Sequence, residues 1–354
     1  MFGKFKSTIK TTIHKRRWFN SQYQHKLRAE SLLKNIELEK GNLKPKYKKL
    51  AVEYAQDVLG WVGFAPWLIT YSAMAGEFKE GWIPDNYYEE VVYPGSSITS
   101  ISREKSLSSK LMNTDCFPDI AYFVDGLFFT RAWVALSPMD VKRYIFDQND
   151  KIVYKQNNSG GGMGIHTITA ETFNLETIHR MGNGVFQMFI QQHKFFEEIM
   201  PDSVATLRLN SVVKSTGEIS CRSAYLKIGR NNEPYVMPSS HIVIPVDLTS
   251  GELYEKGYNH NWCSVSQHPD TNVVFKRKVM PKFKECVACI TKTHQSVPFC
   301  RVIGWDLTVD KDEDIQFMEW ERPYTAFAEA TQGPCFADIG WEKLRPARVF
   351  NYII

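Results

Sequence analysis

The chain has 354 residues, 43% hydrophobic and 23% charged, the composition of an ordinary soluble protein with enough core for two or three domains. Its seven cysteines are odd in number and scattered, which excludes a small disulfide scaffold; with no signal peptide at the start, a cytoplasmic chain with reduced thiols is expected. The formal charge of +4 is uneven: residues 1–50 hold 14 Lys/Arg and 3 Asp/Glu, so this arm carries +11 and the remainder −7.

The arm contains HKRRWF (14–19) and KPKYKKL (44–50). Trp18 and Phe19 beside basic residues suit an anionic membrane surface at the inner face; a helix packed on its own body or on a second subunit accounts for them equally well. No nucleic-acid-binding motif accompanies the charge, so nucleic acid is not an expected partner. Residues 58–76 lack any charged side chain. Gly60, Gly63, Pro66 and Gly76 interrupt them, which favours a buried helix–turn–helix wall over a membrane span. Lys105 and Lys110, in REKSLSSKL (103–111), lie near the start of a helix.

IAYFVDGLFFTR (120–131) predicts a hairpin turning at Asp125-Gly126. SPMDVKRYIFDQ (137–148) predicts a helix capped by Ser137, and ITAETFNLETIHRMG (168–182) a helix ended by Gly182. Between them lies KIVYKQNNSGGGMGI (151–165). Lys151 to Tyr154 alternate as a strand, with Lys155 at its end. Ser159 and Gly160, Gly161, Gly162 and Gly164 then form a loop whose bare backbone can approach a ligand closely and wrap a phosphate with successive N–H groups. The same glycines also suit a flexible hairpin tip. No Gly-Lys-Ser/Thr closes the loop, so it is not a Walker A motif.

GVFQMFIQQH (184–193) reads as a strand leading to a polar crossover, and ATLRLNSVVKS (205–215) and ISCRSAYLKIG (219–229) as further strands. Arg208 sits among Leu207, Leu209 and Val212. A charge on an apolar strand needs a partner, either a carboxylate or phosphate ligand or an internal salt bridge. SSHIVIPVD (239–247) predicts another strand, and PKFKECVACITKTHQ (281–295) a helix that makes Cys286 and Cys289 ordinary helix thiols. GWDLTVDKDEDIQFMEWER (304–322) reads as two strands joined by a charged turn. Asp306 opens the first; Glu319 and Glu321, two apart on the second, share a face. Facing strands would gather three carboxylates. Such a cluster usually implies cations, and its hard oxygen ligands suit Mg²⁺ held with nucleotide phosphates.

A lysine and glycine-rich loop, followed far downstream by Asp on one strand and Glu-x-Glu on the next, resembles the ATP-grasp superfamily. The closer resemblance is to its sugar-transfer-associated family. It rests on IPDNYYEEVVYPG (83–95), EKSLSSKL (104–111), VYKQNNSGGGMG (153–164), FQMFIQQH (186–193), SVATLRLNSV (203–212), HIVIPVDLTSGEL (241–253), SQHPDTN (266–272) and VIGWDLT (302–308), in that order over residues 80–340.

The resemblance implies an α+β, ATP-grasp fold: two α+β lobes sandwiching ATP, preceded by a helical or mixed N-terminal region. The expected segments are a basic arm (1–50), a helical or mixed region (51–115), a lid lobe with the glycine loop (116–190) and a C-terminal lobe with the metal site (191–354). ATP phosphates are expected on Lys105, Lys155, Ser159, Gly160, Gly161, Gly162 and Gly164, with adenine at Phe189, Ile190 and Gln191 and side-chain help from Gln187 and Gln191. Two Mg²⁺ ions are expected on Asp306, Glu319 and Glu321. Arg208 is expected near the reacting phosphate. Lys227 stands where the family has arginine, Glu104 where it has aspartate, Glu321 where it has asparagine, and Ser240-His241 where it has two glycines. His268 falls on the family's His-Pro element.

The implied reaction is ATP-dependent ligation of a carboxylate to an amine through an acyl phosphate. The expected substrates are a carboxyl-bearing sugar, a uronic acid of a capsule, O-antigen or exopolysaccharide precursor, which is compatible with a lipid-linked glycan, and an amino acid or amine. The alternatives are a kinase of a sugar or lipid-linked acceptor, and a weakly catalytic ATP-binding partner of a glycosyltransferase.

Overall fold

A computed structural model of the protein describes residues 2–93, 98–230, 233 and 235–344. The last ten residues of the tail lie outside them. The chain forms two compact units, one of residues 1–95, 261–263 and 324–354, the other of 96–260 and 264–323. This grouping differs from four consecutive segments, because residues from Tyr324 onward fall with the N-terminal ones.

The first unit is helical. Its long helix, Phe2–Lys40, buries Ala29, Leu32 and Ile36 at helical spacing and leaves Lys15, Arg16, Arg17, Lys26, Arg28 and Lys34 exposed. Trp18, one of the two aromatics read as membrane-facing, is 6% exposed, its ring 5.1 Å from that of Trp61; Phe19 is 46% exposed. The charge-free stretch becomes the helix Ala65–Ala75, of which eight residues are buried, and it ends at Gly76 with φ +82°. It is a buried wall, as its composition predicts, and Thr70 Oγ1 ties it to the long helix by donating to the Ala29 carbonyl at 2.9 Å. Among the described residues no helix is long and apolar enough to cross a membrane.

The second unit is α+β, with two antiparallel sheets. The first sheet holds β1 (Asp119–Val124), β2 (Leu127–Thr130), β3 (Ala135–Leu136), β4 (Lys151–Gln156), β5 (Ile165–Thr169) and β6 (Gly184–Met188) in the order β3-β2-β1-β6-β4-β5. The β1–β2 turn is the Asp125-Gly126 pair, with φ of +49° and +84°, the positive-φ pair a two-residue hairpin needs. Phe123, Phe128, Ile152, Tyr154 and Phe186 form the core of this lobe.

The second sheet holds β7 (Thr206–Val213), β8 (Ile219–Ile228), β9 (Ile242–Pro245), β10 (Gly257–Tyr258), β11 (Ser264–Val265), β12 (Val302–Val309) and β13 (Ile315–Glu321), in the order β11-β10-β9-β8-β7-β12-β13. All eight residues of β7 and of β12 are buried. These central strands bury polar and charged residues along with apolar ones, among them Arg208, Asn210 and Asp306.

Three local expectations change. Lys155 lies inside β4 rather than after it, and Asp306 lies mid-way along β12 rather than opening it. Ile168 and Thr169 end β5, so the next helix is only Leu175–Met181, capped by the Asn174 side chain and ended by Gly182. Ser137 caps the turn that leads into the helix Val141–Phe146: its hydroxyl accepts the Asp140 N–H at 3.2 Å and its carbonyl the Val141 N–H at 3.1 Å.

Candidate functional site

Strand register builds the centre of the second sheet. Tyr225, Arg208, Asp306 and Glu319 are successive cross-strand partners on β8, β7, β12 and β13. Lys227 and Glu321 lie two residues from members of this row and so share its face. Carboxylate oxygens of Asp306, Glu319 and Glu321 come within 4.8 Å of one another. A bulge helps: Asp306 pairs with Glu319 and Leu307 with Phe317, which leaves Met318 as the extra residue. Its carbonyl accepts the Lys155 Nζ proton at 3.0 Å, so the bulge connects the acidic row to the lysine of the first sheet.

The three acids are in different electrostatic states. Burial pushes Asp306 up, but Arg208 and Lys227 outweigh it and hold the carboxyl well below its usual range. Arg208 Nε and Nη2 donate to Asp306 at 2.7 Å each, and Lys227 Nζ donates to it at 2.9 Å. Glu321 shares the Arg208 fork. Glu319 makes no hydrogen bond or ion pair among the described residues. Burial, then repulsion from Asp306 and Glu321, raises its pKa. An under-compensated carboxylate beside two others is the donor set a divalent cation relieves, so these residues fit the expected metal.

A cavity of about 300 Å³ opens over this row. Lys105, Val153, Lys155, Gly162, Ile165 and Thr167 line one side; Gln187, Met188, Phe189 and Ile190 follow the crossover; Thr206, Lys227, Asp306, Met318 and Glu319 line the opposite side. Burial lowers the pKa of both Lys105 and Lys155. Lys105 Nζ holds Ser159 through its carbonyl (2.6 Å) and hydroxyl (3.1 Å), at the entry of the glycine loop. Lys110, its rival by position, is exposed and stands over the Trp133 ring at 4.9 Å. The N–H groups of Gly160, Gly161 and Gly162 make no hydrogen bond among the described residues, nor do the main-chain groups of Phe189 and Ile190. The former can meet anionic oxygens and the latter the edge of a flat heterocycle.

Some expected residues stand elsewhere. Arg208, read as facing a reacting phosphate, is 2% exposed with its fork closed on Asp306 and Glu321, and does not line the cavity. Gln191 is exposed, and its carbonyl accepts Lys311 N–H. Gln187 lines the cavity, but its amide is spent on Asp119 at 2.8 Å. Ser159, Gly160, Gly161 and Gly164 are outside the lining. His268 is fully buried in a turn, its Nε2 bonded to the Gly229 carbonyl at 2.9 Å. Ser240 turns to Glu233, while His241 lines the cavity with Nδ1 on the Met237 carbonyl at 2.8 Å.

Sequence reading missed two partners. Glu104 accepts from the Asn157 and Asn158 side chains at 2.7 and 2.6 Å and so grips the start of the glycine loop. Tyr235 touches Gly162: a Cβ there would stand 2.0 Å from its ring. The asparagine pair before the glycines was the available signal for the first; nothing local marks the second.

Residues 177–327 match the sugar-transfer associated ATP-grasp family. The motifs at 83–95, 104–111 and 153–164 precede that match, which is narrower than the expected 80–340. No curated protein matches the chain. Among solved structures it is similar to a biotin carboxylase from Campylobacter jejuni in complex with β-γ-ATP (12% identity, TM-score 0.43, covering 70% of this chain and 46% of that one). It is also similar to a D-alanine-D-alanine ligase from Coxiella burnetii (10%, 0.40, 72% and 60%) and to an N5-carboxyaminoimidazole ribonucleotide synthetase from Thermotoga maritima (14%, 0.36, 64% and 43%). The chain thus spans under half the length of the carboxylase and of the synthetase.

Proposed function

We propose that the protein is an ATP-dependent carboxylate–amine ligase that joins an amino acid or amine to a carboxyl-bearing sugar through an acyl phosphate. The carrying observation is the cavity itself, with Lys105, Lys155 and Gly162 on one side and Asp306 and Glu319 of the acidic row on the other. A polyphosphate needs both: cations and N–H groups for its oxygens, and acids that recruit divalent ions to the rest of its charge. Bound Mg²⁺ would neutralise the triphosphate and polarise the transferred phosphoryl group.

In this reading Lys105 and Lys155 orient the phosphates, and the main chain of Phe189 and Ile190 receives the adenine edge. Arg208 is a positioning residue: by bracing Asp306 and Glu321 it aims the acidic row. Lys227 and His241, both on the cavity wall, are the side chains available to the sugar carboxylate. Closure of the glycine loop excludes water, which would otherwise hydrolyse the acyl phosphate before the amine attacks. The sugar assignment is supported by the family match at 177–327.

The test is ADP release with Mg²⁺–ATP across panels of uronates and amines. Turnover that requires both substrates supports the proposal; turnover with a hydroxyl acceptor and no amine would make the protein a kinase. A weakly catalytic ATP-binding role is the second reading. It is favoured by the neutralisation of Asp306 by Arg208 and Lys227. Nucleotide binding without turnover on any pair would select it.

A further inference from the structure

Cys116 and Cys289 are 173 residues apart in sequence, yet their Sγ atoms lie 3.4 Å from each other. Cys116 is in the loop before β1. Cys289 is on the helix Phe283–His294, which packs on β7 and β8. Both thiols are half-buried, and both line a cavity of about 720 Å³ together with Thr114, Asp115, Lys292 and Thr293. Small solutes can therefore reach them. Cys286, one turn earlier on the same helix, is fully buried.

We propose that Cys116 and Cys289 are a modification site, a dithiol that hydrogen peroxide converts reversibly to a disulfide. Cys116 is the attacking sulfur. The hydrogen bond from the Cys289 thiol stabilises its thiolate against the cost of burial, with help from Thr114 and Lys292, and brings its pKa to about 6. Cys289 is raised by the same hydrogen bond and stays a thiol. Burial, with Glu285 and Cys116 adding to it, pushes Cys286 up to about 12, which leaves it inert.

The Cys116 thiolate takes one oxygen of the peroxide, the O–O bond breaks, and hydroxide leaves to become water with a solvent proton, giving a sulfenic acid. Cys289 sulfur then attacks the Cys116 sulfur. The S–O bond breaks, and the departing hydroxide takes the Cys289 proton as a second water. Two thiols lose two electrons in all, and one peroxide is reduced to two waters. The sulfurs need to close only from contact to bonding distance, about 2 Å.

The bond would have mechanical reach. The Cys116 carbonyl accepts the Phe317 N–H on β13 at 2.8 Å, two residues from Glu319. A disulfide would clamp the entry to the first sheet against a helix packed on the second.

The test is peroxide treatment of the reduced full-length chain, alkylation of remaining thiols and tryptic mass mapping. Cys116 falls alone in the peptide 111–131, and Cys289 falls with Cys286 in 285–292. The expected product is these two peptides linked with the loss of two hydrogens and released by dithiothreitol. The link should persist in Cys286→Ser. In Cys289→Ser it should vanish, leaving a Cys116 sulfenic acid that dimedone traps. Thiols that stay fully alkylatable, a link lost in Cys286→Ser, or a link found only between two chains would each overturn the proposal.

Discussion

At the residue scale, Arg208 shows how a buried charge can be structural and functional together. Its planar fork satisfies Asp306 and Glu321 at once, and no other side chain offers that geometry. Arg208→Met should cost about 3–5 kcal/mol of stability in urea unfolding, because it strands buried carboxylates that only Lys227 still offsets. A loss below 1 kcal/mol would mean that the ion pair is not what holds the row. The glycine loop allows a paired comparison. Gly162 has φ +81° and no room for a Cβ beside Tyr235, whereas a Cβ on Gly160 meets nothing within 4 Å. Gly162→Ala should weaken ATP binding by roughly tenfold, on the order of the 1–2 kcal/mol that a left-handed alanine costs. Gly160→Ala should leave it unchanged; calorimetric titration of both variants is the check.

Elements show how a small irregularity can set a large arrangement. The bulge at Met318 places Glu319, rather than its neighbour, opposite Asp306. Deleting Met318 restores a regular ladder with Asp306 still opposite Glu319, and removes the bulge carbonyl that holds Lys155. The deletion variant should keep its β-sheet circular dichroism but lose the increase in melting temperature that Mg²⁺–ATP produces in the parent. An undiminished increase would show that the Lys155–Met318 contact does not position the nucleotide site. The alternation of β13 was readable from sequence, and with it the shared face of Glu319 and Glu321. The bulge was not, since Gln-Phe-Met-Glu carries no glycine or other local mark of an extra residue.

Across the whole molecule, two groups of the helical unit bias stability toward mild acidity. Glu329 is fully buried, and its carboxylate accepts N–H groups of Ile83 and Cys335 at 3.1 and 2.9 Å. Burial nonetheless wins and lifts its pKa from 4.5 to about 8. The folded state then holds a proton that the unfolded state releases, so stability falls as pH rises from 4.5 through about 8. For His25, burial disfavours the charge, but the Glu89 hydrogen bond and Asp85 outweigh it and raise the pKa. That contribution is complete below 6.5 and is lost as pH rises through the folded value. Asp306 acts on the other side: its depressed pKa gives stability present above 3.8 that is lost as pH falls. Thermal melts should therefore show the highest melting temperature at mildly acidic pH and a decline toward pH 8. Glu329→Gln should flatten the decline; an unchanged slope would remove Glu329 as its cause.

Local chemistry carried much of the design. The Asp125-Gly126 turn, the charge-free buried helix, the glycine loop and the two glutamates on one strand face all follow from interactions within a few residues, which periodicity and turn chemistry report directly. Only tertiary structure decided that Arg208 closes on Asp306 and Glu321, that Glu104 grips Asn157 and Asn158, that Gln187 is spent on Asp119, and that Cys116 meets Cys289. Each of those contacts joins segments tens to more than a hundred residues apart. Their partners are chosen by sheet register and helix packing, and no single stretch of chain contains that information.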